Sequence, residues 1–159
     1  MISQELNTQI RKGEERWGKE RRSKVTMSQL MLPADANPMG NIHGGTIMKL
    51  IDNAGAVAAM RYSLGNVVTA CIDELNFDEP VHIGNLVILD ASVIYVHESR
   101  VAMEVEVKAK AENLKTGGCV DVVSANLVCN SLVPILPVSY RHVNSNYYTG
   151  PLERLAYLQ

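Results

Sequence analysis

Apolar and polar positions change rhythm along the chain. Ile47, Leu50, Ile51, Ala54 and Ala58 fall at the i, i+3, i+4 spacing of a helix with one apolar face. The other positions in that stretch are mostly small: Gly55, Ala56, Ala59 and Ser63. A helix with so little bulk can be wrapped closely by a sheet. Gly65 and Asn66 predict its end near Ser63. From Val67 the period becomes two. Val67–Phe77 predicts a strand, ended by Asp78-Glu79-Pro80. Leu86–His97 predicts another, with Val87, Leu89, Ala91, Val93 and Tyr95 on one face. Arg100–Ala111 alternates most cleanly. Val101, Met103, Val105, Val107 and Ala109 point to a core, while Arg100, Glu104, Glu106, Lys108 and Lys110 point to water. Lys115-Thr116-Gly117-Gly118 reads as a turn and Cys119–Cys129 as the last long strand. Short links between these last three strands predict an antiparallel meander.

Upstream, Ser23–Leu32 predicts a strand leading inward, and Gln4–Glu20 a helix. The segment Pro33–Asn41, with two prolines, a glycine and Asx residues, is a loop. Pro134 and Pro137 end the sheet. Ser139–Gln159 is a polar, Tyr-rich tail with a short helix expected at Leu152–Leu158. One strand, one long helix and four strands make an α+β plan.

Composition narrows the class. The chain has 159 residues, 47% apolar and 20% charged, which is one domain with a core that needs neither disulfide nor metal. Aromatics are 5%, so the apolar weight lies in Val, Ile, Leu, Ala and Met. A formal charge of −2 gives no global case for nucleic acid or an anionic membrane. No apolar run reaches the roughly 18 residues of a spanning helix. The polar N-terminus lacks the apolar core of a signal peptide. Cys71, Cys119 and Cys129 are odd in number and widely spaced, against a disulfide framework. A soluble cytoplasmic protein is expected. Within it, Arg11–Lys24 carries seven basic and three acidic residues. The plain reading is a solvated helical arm; the alternative is a contact to ligand phosphates or RNA.

Several chemistries are missing from the pattern. His43, His82, His97 and His142 show no metal-ligand spacing, and no Cys-x-x-Cys exists, so no metal is expected. Gly40–Gly45 lacks the Gly-Lys-Ser/Thr ending of a phosphate loop. There is no Gly-x-Ser-x-Gly elbow and no nicotinamide fingerprint. What remains is Gly40–Asp52. A Gly44-Gly45 pair opening a helix exposes backbone N–H groups that could stabilise an oxyanion, or simply serves a tight turn. Asp52, off the apolar stripe among small side chains, could be a general base or nucleophile, or an ordinary exposed Asp. Asn41 could orient water or a carbonyl, or bond its own backbone. His43 could lie near the site or be structural.

These residues carry a resemblance. Leu32-Pro33-Ala34-Asp35-Ala36-Asn37, the block Gly40-Asn41-Ile42-His43-Gly44-Gly45 running on to Leu50-Ile51-Asp52, and Ala58-Ala59-Met60-Arg61 resemble the hotdog-fold acyl-CoA thioesterases. Within that family the likeness is to the cytosolic acyl-CoA hydrolases, with brain-type and bacterial single-domain relatives. Val68-Thr69-Ala70, Phe77 with Pro80-Val81, and Met103-Glu104-Val105 extend it across roughly Val25–Pro137. The resemblance implies a long helix wrapped by a curved antiparallel sheet. It divides the chain into a basic arm (1–22), a hotdog domain (23–138) and an extension (139–159). It implies hydrolysis of acyl-CoA to free acid and CoA, with no cofactor beyond the CoA of the substrate. Asp52 would be base or nucleophile, with Asn41 supplied by a second subunit and His43, Gly44 and Gly45 holding the thioester carbonyl. Arg61, Thr69, Ser99 and Arg100 would be CoA contacts, although relatives often read Ser-Ser at the last two positions. A homodimer at least, and a hexamer built as a trimer of dimers, is the implied assembly. A non-enzymatic acyl-CoA binder or sensor is the alternative.

Overall fold

A computed structural model describes residues 23–97 and 101–132. The expected Gln4–Glu20 helix, the arm, Ser99, Arg100, the two prolines and the tail lie outside the described residues. Branched side chains with period two form five strands: β1 (Lys24–Leu30), β2 (Val67–Phe77), β3 (Asn85–Val96), β4 (Ala102–Asn113) and β5 (Cys119–Ser131). One 20-residue helix, α1 (Gly44–Ser63), lies between β1 and β2 in the chain. A 3-10 turn at Pro33–Asp35 opens the loop before it. The sheet order is β1-β3-β4-β5-β2, and every neighbouring pair is antiparallel. β3, β4 and β5 form the expected meander. The long connection through α1 carries the chain from one edge strand to the other, and α1 packs against all five strands.

The core lies between α1 and the concave face of the sheet. Ile47, Ile51, Ala54, Ala58 and Ala59 on the helix meet Val87, Leu89, Val93, Met103, Val105, Val107 and Leu127 from the strands. The buried arc of the helix is wider than its i, i+3, i+4 stripe. Gly55 and Ala59 are buried too, because the sheet curves around both flanks. The approach is close at Gly55, where an added Cβ would lie 2.8 Å from Leu127 Cδ2. Such a gap accepts no side chain without movement in a filled core.

Four expectations change in detail, the first being Val101, expected to point to the core, which precedes β4 and is 38% exposed. The helix does end at Ser63, but the left-handed residue that closes it is Leu64 (φ 56°), not Gly65. Tyr95 is not on the core face: the β3–β4 register shifts between Val93 and Tyr95, which turns Tyr95 outward. Glu104, expected in water, is only 8% exposed. It stands between Tyr95 and Val128 across the two ladders, and burial raises its carboxyl above the ordinary value. Lys108 and Lys110 do face water, paired with Glu106 at 3.0 Å and Asp121 at 3.7 Å. Among the described residues no helix is long and apolar enough to cross a membrane.

Candidate active site

The loop before α1 is built by short bonds. Asn37 Oδ1 accepts from the N–H groups of Met39 (2.9 Å) and Asn41 (3.2 Å), and Asn37 N–H donates to the Asn41 carbonyl at 2.7 Å. Gly40 turns the chain at φ +88°, a conformation that suits glycine. Asn41 and His82 then form a bridge, and Ile42 N–H donates to the Val81 carbonyl at 2.9 Å. His43 N–H donates to the Asp35 carbonyl at 2.9 Å. The loop is thereby fastened both to itself and to the segment before β3.

α1 starts without a side-chain cap or an acidic residue in its first turn. Thr46 N–H donates back to the His43 carbonyl at 2.9 Å. Among the described residues no acceptor faces the N–H groups of Gly44 and Gly45. A Cβ on Gly44 would meet the Phe77 ring at 3.5 Å, whereas one on Gly45 would meet nothing within 4 Å. Gly44 therefore packs the helix start onto the end of β2, and Gly45 leaves an open approach. Two unpaired amides at the positive end of a helix dipole favour developing negative charge.

Two turns further on, Asp52 faces an open depression of about 470 Å³, lined by Met48, Lys49, Asp52, Thr69, Ala70, Cys71 and Ile72. The wall opposite the helix is edge strand β2. Thr69 Oγ1 donates to Asp52 Oδ1 at 2.6 Å, a short charge-assisted bond. It fixes one carboxylate oxygen. The β2–β5 register shifts directly after Thr69, so a bulge falls at the depression. Cys129, fully buried and opposite Thr69 in the ladder, lies behind this pair. Burial pushes its thiol up to about 11, with a hydrogen bond to Thr69 opposing and the charge of Asp52 adding.

The structure thus brings Asp52 and Thr69 together. Asn41, His43, Gly44 and Gly45 do not line the depression. Arg61 lies near the far end of α1, where its guanidinium donates to the Lys24 carbonyl at 3.3 Å. Sequence reasoning missed Met48, Lys49, Cys71, Ile72 and Cys129. Helical spacing held the signal for Lys49, three residues before Asp52 and on the same face. The register pairing of Cys129 with Thr69 left no local trace. Among the described residues no group of three or more His, Cys, Asp or Glu could hold a metal.

A long helix clasped by a five-stranded antiparallel sheet, with a carboxylate facing the edge strand, is a hotdog unit. The family model described as "Thioesterase superfamily" matches residues 39–116. The chain is 31% identical to the mouse cytosolic acyl coenzyme A thioester hydrolase over 134 residues, which are 80% of this chain and 33% of that protein. A hexameric hotdog-fold thioesterase of Campylobacter jejuni superposes with a TM-score of 0.64 at 35% identity, over 68% of this chain and 82% of that one. An acyl-CoA hydrolase of Staphylococcus aureus superposes with a TM-score of 0.63 at 27% identity, over 72% of this chain and 66% of that one, in complex with butyryl coenzyme A and coenzyme A. That enzyme is also solved as separate alanine variants of an Asp, an Asn and a Thr. The chain belongs to the thioesterase superfamily and has the hotdog fold. It spans about a third of the mouse relative's length.

Proposed function

We propose that the chain hydrolyses acyl-CoA thioesters to a carboxylic acid and CoA. The observation that carries this reading is Asp52, held by Thr69 at 2.6 Å on the wall of an open depression. The thioester carbonyl oxygen would sit on the Gly44 and Gly45 amides of the copy that supplies Asn41, since neither glycine lines the depression of its own chain, and there they stabilise the charge it gains as the carbon becomes tetrahedral. Asp52 takes a proton from water as the water oxygen bonds to that carbon; the C–S bond then breaks and the proton passes to the departing thiolate. Direct attack by Asp52, through an anhydride that water then opens, gives the same products. Lys49 on the rim supplies positive charge for CoA phosphates. Water and the thioester are the only reactants.

Asn41 is assigned to the same site from a second copy of the chain. Two observations support this: Asn41 does not line its own chain's depression, and β2 is an edge strand open to pairing. The hexameric state of the Campylobacter jejuni structure supports a homo-oligomer. The Asp, Asn and Thr changed singly in the Staphylococcus aureus enzyme are the residue types offered here by Asp52, Asn41 and Thr69. The cytosolic designation of the mouse relative supports a cytosolic setting.

The test is release of CoA thiol from a panel of acyl-CoA substrates by wild type and Asp52→Ala. Loss of a general base slows turnover by about 10²- to 10⁴-fold. Equal rates would refute the role of Asp52, and tight acyl-CoA binding without turnover by wild type would make the protein a binder instead.

A further inference from the structure

The wall of the depression divides by polarity on either side of Asp52. At roughly 100° per residue, Met48 projects about 40° to one side of Asp52 around α1, and Lys49 about 60° to the other. The Met48 side adjoins the buried arc of the helix through Ile51 and Gly55. The Lys49 side leads to Asn53 and Met60, both exposed. From β2, Ile72 lines the same depression and packs against the core. Met48 is 39% exposed, a large apolar side chain one helical turn from a carboxylate.

We infer that Met48 and Ile72 form the acyl subsite, and that Met48 sets the length of acyl chain the depression accepts. The inference rests on the reading of Asp52 given above: with the thioester carbon at Asp52, the two arms of the substrate leave it in different directions. CoA carries phosphates and takes the Lys49 side, where charge meets charge. The acyl arm takes the side that adjoins the core, where its methylenes leave water against Met48 and Ile72. A polar or charged acyl group gains nothing from that wall, so the substrate class is an unsubstituted alkyl thioester. Its length follows from the helix. Met48 lies one turn before Asp52, about 6 Å along the axis. Toward the start of α1 come Ile47, which is buried, then Thr46 and two glycines. Gly45 has nothing within 4 Å of its Cβ position. Met48 is thus the last large side chain on the open side of the helix, and its flexible thioether stands between a short subsite and open space.

The experiment measures kcat/KM for CoA release from butyryl-, octanoyl-, dodecanoyl- and hexadecanoyl-CoA. Wild type is expected to fall off toward the long chains. Met48→Ala is expected to move the optimum to longer chains and to raise the dodecanoyl-to-butyryl ratio by about ten-fold, since each methylene buried is worth about four-fold. Met48→Gln keeps the length of the side chain but not its apolar surface, and should lower the octanoyl-to-butyryl ratio by about ten-fold. Lys49→Gln raises KM for every chain length alike, because it acts on the CoA arm. Met60→Ala, the same change on an α1 methionine that does not line the depression, keeps the wild-type profile. A wild type that favours hexadecanoyl-CoA, an unshifted profile in both Met48 variants, or a shifted profile in Lys49→Gln or Met60→Ala would each overturn the inference. Asp52→Ala separates the two failures. If it turns over like wild type, the hydrolysis reading of Asp52 fails; if it is inactive while the Met48 variants keep the wild-type profile, the acyl subsite alone fails.

Discussion

The two sides of α1 use the same 20 residues for opposite ends. On one side Ile47, Ile51, Ala54, Gly55 and Ala58 are closed against the sheet, and Leu127 stands 2.8 Å from where a Gly55 Cβ would be. On the other, Met48, Lys49 and Asp52 open onto the depression walled by β2, and Gly45 has nothing within 4 Å of its Cβ position. The closed side is held by shape, where a change of one methyl group is felt. The open side is held by single polar contacts, and there the Thr69–Asp52 bond is the feature that counts. Stability and the proposed chemistry thus fall to different faces of one element.

Substitutions that cross this divide should separate the two effects. The largest change in stability is expected for Ile51→Ala, which removes a fully buried side chain and should cost about 3 kcal/mol by denaturant unfolding. Turnover per folded molecule should not change. A large loss of kcat in the folded fraction would show that the closed side shapes the site directly.

The two glycines give a sharper contrast. Gly55→Ala gains helix propensity of about 1 kcal/mol but overpacks Leu127, which costs about 1–3 kcal/mol, so a net loss near 1 kcal/mol is expected. Gly45→Ala meets no neighbour and should stabilise by up to about 1 kcal/mol. Its methyl group stands where a thioester would approach the amides, so it should also slow CoA release. Opposite signs in melting temperature, with activity lost only in the more stable variant, would support the division. A destabilised Gly45→Ala would break it.

The smallest effect concerns Glu104, a carboxyl buried away from the depression. Burial raises its folded value above the ordinary 4.5, so the folded state favours the protonated form. Its contribution is fully present below 4.5 and is lost as pH rises through the raised value. Glu104→Gln should match wild type in acid and melt higher at neutral pH. A melting difference that does not vary with pH would refute this.

Much of this architecture could be read along the chain. Val67–Phe77 was bounded by its own pattern, because β-branched residues begin it and Asp78-Glu79-Pro80 cannot continue it. The clean alternation of Val105, Val107 and Ala109 with charged residues predicted the meander's central strand. Where pairing shifts register, the pattern misled: Tyr95 keeps perfect alternation in sequence yet faces outward. Glu104 looked like a solvent-facing charge because its surroundings come from β3 and β5, not from its own strand. The Gly40–Asp52 block announced a site, since glycines opening a helix and a carboxylate two turns on are local features. The partners of Asp52 were less visible.

By itself the sequence determined the elements, their order and the helix that carries the carboxylate, because hydrophobic period and turn chemistry act over a few residues. Through the resemblance it also marked Thr69 as a CoA contact, with no indication that its hydroxyl reaches Asp52. Only the tertiary structure decided that Thr69 donates to Asp52, that Cys129 stands behind it, and that Arg61 reaches β1 instead of the depression. These facts depend on register and on one bulge at an edge strand. Shifting a strand by one residue reverses every side chain on it, and no local pattern within β2 records where that shift occurs.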